Sequence, residues 1–158
     1  MFPMPVVYLD DDEARRKAKG RPAPRPKEGR SADLREMTVL LVDDIEDTRT
    51  LYQRYFQWMG VRMVTAPDGI DALRSVARHK PDVIVLDLAM PKMTGWEVLK
   101  SLKANPATQR IPVLVLSGQQ ERESAILAGA DSYCEKPCLP DALLNEVRKV
   151  LQKSIHKP

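Results

Sequence analysis

An α/β fold, a doubly wound five-stranded parallel sheet with helices on both faces, is what this sequence predicts, and three observations carry it. Apolar runs of strand length alternate five times with stretches of helical spacing, a pattern that requires right-handed crossovers and a parallel sheet. Runs such as Val83-Ile84-Val85-Leu86 are apolar without alternation, as strands buried on both faces are. The polar residues that stand out, Asp43, Asp44, Asp87, Ser117 and Lys136, all fall where a strand ends. In an open parallel sheet that carboxyl edge is where ligands bind.

Residues 1–37 precede the first element. They hold five prolines, a basic run and no sustained periodicity, and Arg21-Pro22-Ala23-Pro24-Arg25-Pro26-Lys27 reads as extended chain. A disordered basic tail is therefore expected over 1–37, the globular domain over 38–154 and a short C-terminal tail over 155–158. Between Ala14 and Arg30, eight Lys or Arg face one acid; this surplus of seven exceeds the whole-chain net charge of +3, so the remainder is mildly acidic. A weak contact of the tail with nucleic acid or another anionic surface is compatible with that charge, though no aromatic residue accompanies the basic ones.

Thr38 to Val42 is a buried strand that runs into Asp43-Asp44. A helix is expected from Glu46 to about Met59, with acids in its first turn to suit the helix dipole and Gly60 as its stop. Leu51, Tyr55 and Met59 mark one apolar face, which Tyr52, Phe56 and Trp58 widen. A short strand over 61–66 leads to the turn Pro67-Asp68-Gly69 and a helix carrying Ile70, Leu73, Val76 and Ala77. The strand over 83–86 ends at Asp87. Pro91 and Gly95 then force the backbone to fold back tightly beside that carboxylate. Trp96, Leu99 and Leu102 give a third helix, ending at Asn105-Pro106. A fourth strand over 110–117 ends in Ser117, and a helix over about 119–128 follows. The short, polar segment Asp131 to Pro137 reads as an edge strand. A last helix, about 140–153, buries Leu143, Leu144, Val147, Val150 and Leu151.

Composition excludes several classes. With 43% hydrophobic and 30% charged residues the chain is globular, and no apolar run approaches the ~20 residues of a membrane span. The N-terminus lacks the basic start and apolar stretch of a signal peptide, so a cytoplasmic protein is expected. Cys134 and Cys138 are too close to staple a fold and have no companion zinc ligands; they read as buried or incidental thiols.

The strand-end residues form a chemical set. Adjacent carboxylates repel unless a cation sits among them. Asp43, Asp44 and Asp87 offer only oxygen donors, which suits a hard divalent ion such as Mg²⁺ or Mn²⁺. Beside such an ion a carboxylate can attack phosphorus to form an acyl phosphate, with Lys136 neutralising the developing charge and Ser117 donating a hydrogen bond.

Several motifs, taken in order, resemble the receiver domains of bacterial response regulators: Leu41-Val42-Asp43-Asp44, Asp87-Leu88-x-Met90-Pro91-x-Met93-x-Gly95, Ser117-Gly118, and Tyr133-x-x-Lys136-Pro137. The resemblance implies a flavodoxin-like receiver fold of strand order 2-1-3-4-5 and a phosphorylation-dependent switch of two-component signalling. Such a domain is not an enzyme beyond reaction with small phosphodonors and autodephosphorylation. By resemblance Asp87 is the phosphoacceptor, and Asp44, Asp87 and the Ala89 carbonyl bind the metal, with Asp43 acting mostly through water. Lys136 pairs with the phosphoryl group; Ser117 and Tyr133 form the switch. The donor would be a histidine kinase or phosphotransfer protein. No output segment is read in the sequence, so a stand-alone receiver acting on a separate downstream effector is expected. The Lys136-Pro137 peptide is expected to be cis, because the lysine must turn back towards the site.

Ala89 and Gln119 depart from the commonest pattern and flank the path of an attacking water, and Thr94 replaces a frequent Asp. Two other classes share parts of this pattern. A flavodoxin-like electron carrier needs a Ser/Thr/Gly-rich loop where Asp43-Asp44 stands. A haloacid-dehalogenase-like phosphatase needs a second Asp where Ala89 stands.

Overall fold

Parallel pairing organises the chain, as the computed structural model shows for residues 33–118 and 120–155. The elements in order are β1 (Thr38–Val42), α1 (Glu46–Trp58), β2 (Arg62–Ala66), α2 (Gly69–His79), β3 (Val83–Leu86), α3 (Gly95–Ala104), β4 (Val113–Ser117), α4 (Arg122–Leu127), β5 (Ser132–Glu135) and α5 (Pro140–Ile155). The five strands form one sheet of order β2-β1-β3-β4-β5, and every pairing is parallel. The doubly wound fold and its strand order are as expected. The basic tail expected up to 37 lies, as far as residue 32, outside the described residues, as do Gln119 and the C-terminal residues 156–158.

Alternate residues of each strand feed opposite faces. Leu40, Val42, Ile84, Leu86, Val113 and Val115 pack with Ala72 and Val76 of α2, with Val98, Leu99 and Leu102 of α3, and with Ala125 of α4. Val39, Leu41, Val83, Val85, Leu114 and Leu116 pack with Tyr52 and Phe56 of α1 and with Leu143, Leu144, Val147, Val150 and Leu151 of α5. β1, β3 and β4 are buried along their whole length. This two-faced burial is why their sequences read as unbroken apolar runs.

Four local expectations need correction. The apolar face of α1 is Tyr52 and Phe56, whereas Leu51, Trp58 and Met59 lie exposed at 56, 79 and 37%. Apolar residues surround this helix, so spacing alone leaves its rotation open. The Tyr52 hydroxyl fixes it by donating to the Cys138 carbonyl at 2.6 Å. Ile70, placed on the apolar face of α2, is 53% exposed, and Ala72 takes its position against the sheet. Finally, α4 is only six residues long, and packing extends upstream of Thr38: Leu34 is buried beside Val39 and Phe56.

Candidate functional site

Register decides which strand-end residues meet. Val42 pairs with Leu86, so the next residues, Asp43 and Asp87, leave the sheet side by side. Asp87 N–H donates to the Val42 carbonyl at 2.9 Å, and Asp43 N–H to that of Ala66 at 3.2 Å. Across the sheet Ser117 pairs with Glu135, and Lys136 N–H donates to the Ser117 carbonyl at 2.9 Å. Lys136 is thereby delivered to the same rim. The Lys136-Pro137 peptide is cis.

Lys136 Nζ lies 2.7 Å from Asp43 Oδ2 and 3.0 Å from Asp87 Oδ2. The remaining oxygens accept from the backbone: Asp43 Oδ1 from Ile45 N–H at 2.9 Å and Asp87 Oδ1 from Ala89 N–H at 3.0 Å. Asp43 is fully buried, Asp87 nearly so, and Asp44 is exposed. Each of these three carboxylates can place an oxygen within 4.8 Å of the others. The three carboxylates outnumber the cationic side chains beside them, Lys136 and Arg49, which leaves negative charge at the rim for a cation to balance. The donors are all oxygen, and the exposed Asp44 leaves one side open for water or a phosphoryl oxygen. The residues present fit a hard cation such as Mg²⁺.

Burial raises the Asp87 pKa above the ordinary carboxylate value, against the opposing pull of Lys136 and the Ala89 N–H. For Lys136, burial acts to lower the pKa, but hydrogen bonds from its ammonium to Asp43 and Asp87 outweigh it, and the pKa is raised. The ammonium is therefore charged throughout the neutral range.

The loop after β3 is held by Gly95. A Cβ built there would fall on the Asp87 carbonyl oxygen and 2.5 Å from Leu88 Cα, while Gly95 N–H donates to the Leu88 carbonyl at 3.1 Å. Only glycine lets the chain return this closely to the carboxylate. Thr94 caps α3, its hydroxyl accepting from Glu97 N–H at 3.3 Å while the Glu97 carboxylate accepts from Thr94 N–H at 2.7 Å. That reciprocal cap accounts for a threonine at this position.

Ser117 is fully buried at the end of β4, and Tyr133 is buried on β5. The Tyr133 hydroxyl accepts from Glu121 N–H at 3.4 Å, and the Arg122 guanidinium lies 5.3 Å from its ring centre. Arg49, which no sequence motif marks, donates from Nη1 to the Asp43 carbonyl at 2.8 Å. Its position in α1 carries no local signal, because only the packed helix brings it to the strand end.

Asp43, Asp44, Asp87 and Lys136 thus share one rim, which defines the class: an open α/β sheet with a cation-ready, aspartate-based site at its carboxyl edge. The model of the response regulator receiver domain matches residues 39–148, and the chain belongs to that family. It is 36% identical over 121 residues to the response regulator MprA of Mycobacterium leprae, covering 75% of this chain and 52% of that protein. It is 37% identical over 119 residues to the alkaline phosphatase synthesis transcriptional regulatory protein PhoP of Bacillus subtilis, covering 73% and 49%. The chain spans about half the length of these curated relatives. Among solved structures, the chemotaxis protein CheY4 of Vibrio cholerae superposes with a TM-score of 0.68 at 32% identity, covering 72% of this chain and 98% of that one. The receiver domain of the Francisella response regulator 1452 gives 0.70 at 28%, covering 75% and 99%. A receiver is a signalling module of two-component systems, in which phosphorylation on Asp is characteristic. No helix among the described residues is long and apolar enough to cross a membrane.

Proposed function

We propose that this receiver takes a phosphoryl group from a histidine kinase or phosphotransfer protein onto Asp87, and that a separate or attached effector reads the result. The observation that carries this is the shared placement of Asp87, Lys136 and the acidic pair at one strand-end rim. Asp44, Asp87 and the Ala89 carbonyl would hold Mg²⁺, with Asp43 contributing mainly through water. When bound, that ion would withdraw charge from the carboxylates and from the phosphoryl oxygens.

The chain's own groups supply the rest. A carboxylate oxygen of Asp87 forms a bond to phosphorus as the donor's phosphorus–nitrogen bond breaks, and the donor imidazole leaves with the electron pair. Lys136 already bonds Asp87, so its ammonium stands ready to neutralise the charge growing on the phosphoryl oxygens. Ala89 N–H fixes one Asp87 oxygen, which orients the carboxylate before the donor arrives. The Ser117 hydroxyl, moving towards the new phosphoryl group, serves as the first half of the switch. Tyr133 serves as the second. Added charge at Asp87 shifts the balance between arrangements of Ser117 and Tyr133, which alters the surface formed by α4, β5 and α5.

Incubation with acetyl phosphate and Mg²⁺, followed by intact-mass measurement, tests this. One phosphoryl group should be added to the unmodified chain and none to Asp87→Ala. Equal labelling of the two would move the acceptor elsewhere.

A further inference from the structure

Outside the phosphoryl site, Cys134 and Cys138 stand together, their Sγ atoms 3.4 Å apart. They are the only two cysteines in the sequence. Each is anchored independently. Cys134 is held in β5 by its register opposite Leu116 of β4, and the Cys138 backbone is held by the Tyr52 hydroxyl, which donates to its carbonyl at 2.6 Å. Both residues are half-buried, at the margin of the core between the sheet and α5. Cys134 also lines a surface cavity of about 410 Å³ together with Arg122, Tyr133, Glu146 and Lys149. That cavity is the route by which a small oxidant would reach Cys134.

From this contact we infer that Cys134 and Cys138 are a redox-active dithiol, which a peroxide closes to an intramolecular disulfide. The sulfurs have only ~1.4 Å to travel to reach disulfide bonding distance. In the first step the Cys134 thiolate attacks a peroxide oxygen and the O–O bond breaks, giving Cys134 sulfenic acid and hydroxide. In the second the Cys138 sulfur attacks the sulfenic sulfur, the S–O bond breaks, and water leaves with the Cys138 proton. The dithiol has lost two electrons and the peroxide has gained them. Cys134 lines the cavity and Cys138 does not, so peroxide meets Cys134 first and Cys138 takes the second step; burial, and then the hydrogen bond with Cys134, push the Cys138 thiol up to about 12.

The bridge would close a ring over Glu135, Lys136 and Pro137. It therefore tethers the end of β5 to the start of α5 on either side of the lysine that bonds Asp43 and Asp87. This makes the β5–α5 connection an oxidation-sensitive segment of the receiver. The dithiol itself does not depend on Asp87 accepting phosphate.

The test is to treat the folded, reduced chain with hydrogen peroxide, remove the peroxide, unfold the chain in urea, block remaining thiols with iodoacetamide and measure intact mass. A loss of about 2 Da with no alkylation, restored by dithiothreitol, is the expected result. In Cys138→Ser, a sulfenic acid at Cys134 should be trapped by dimedone. In Cys134→Ser, the same treatment should leave Cys138 alkylatable. Two alkylated thiols after peroxide, or a bridge formed only between chains, would overturn the inference. Phosphorylation by acetyl phosphate is measured separately on the reduced chain, so failure of that reading and failure of this one are told apart.

Discussion

Lys136 Nζ is shared between Asp43 Oδ2 at 2.7 Å and Asp87 Oδ2 at 3.0 Å, so one ammonium from the edge strand ties together carboxylates delivered by two central ones. Removing it leaves buried negative charge without a counter-ion. Lys136→Met is expected to cost about 2–3 kcal/mol of stability, below the full cost for a broken buried pair because the lysine head is partly solvated. Urea unfolding at neutral pH checks this. Adding Mg²⁺ should recover part of the loss, since a divalent cation replaces the missing charge, whereas a merely misfolded variant would show no recovery.

Asp87 illustrates the opposite sign. Burial raises its pKa above 3.8, so folding disfavours its ionised form. Its contribution is best below the unfolded value of 3.8 and is lost as the pH rises through the higher folded value. Asp87→Asn removes the charge and should raise the unfolding midpoint at pH 7 in metal-free buffer, with the gain vanishing below about pH 4. Mg²⁺ at a hundredfold excess over its Kd should stabilise the unmodified chain by about 2.7 kcal/mol. The same ion should stabilise Asp44→Ala much less. Thermal melts across pH, with and without Mg²⁺, give all three comparisons.

Gly95 is required by contact and not by turn conformation. A methyl group there meets the Asp87 carbonyl and Leu88 Cα, both backbone, so no side chain can rotate to make room. Gly95→Ala should cost about 3 kcal/mol, at the high end for overpacking. It should also slow labelling by acetyl phosphate, because the strain falls on the peptide next to the acceptor. A labelling rate equal to that of the unmodified chain would show that the loop yields without moving Asp87.

Tyr52 offers a test at alkaline pH. Burial first, then the nearby Cys138, Asp43 and Cys134, push its hydroxyl from 10.0 up to about 12. The neutral hydroxyl donates to the Cys138 carbonyl, so the stability it gives is whole below pH 10 and is lost as the pH rises from 10 to 12. Tyr52→Phe should cost about 1 kcal/mol at pH 8, the usual worth of one hydrogen bond. The gap between the two proteins, both kept reduced, should shrink above pH 10.

The same tyrosine shows where the sequence is legible and where it is not. β1, β3 and β4 could be read because burial on both faces leaves an unbroken apolar run, and the site rim could be read because Asp43, Asp87 and Ser117 interrupt such runs at their ends, while Lys136 closes the polar edge strand. The rotation of α1 could not. Leu51, Tyr52, Tyr55, Phe56, Trp58 and Met59 surround the helix, and the choice among them is made by Tyr52 reaching a carbonyl 86 residues away. Arg49 escaped for the same reason, its partner being a backbone oxygen that no side-chain pattern announces. The thiol contact escaped too, because a spacing of four in a strand-to-helix connection does not determine whether two sulfurs meet.

Leu34 marks the other place where composition misled. It sits beyond the proline-rich, basic stretch and next to Asp33, Arg35 and Glu36, so its neighbours read as tail. A turn closes there, with Met37 N–H donating to the Leu34 carbonyl at 3.2 Å, and folds the leucine under α1. Leu34 is only 8% exposed, so Leu34→Ala in the full chain should cost about 2 kcal/mol, the low end for a buried leucine whose site can partly collapse. A chain starting at residue 38 should be less stable than one starting at residue 33 by a similar amount, since it loses the same side chain from the same pocket. Paired urea titrations measure both differences, and equal midpoints for the two truncated chains would return residues 33–37 to the tail.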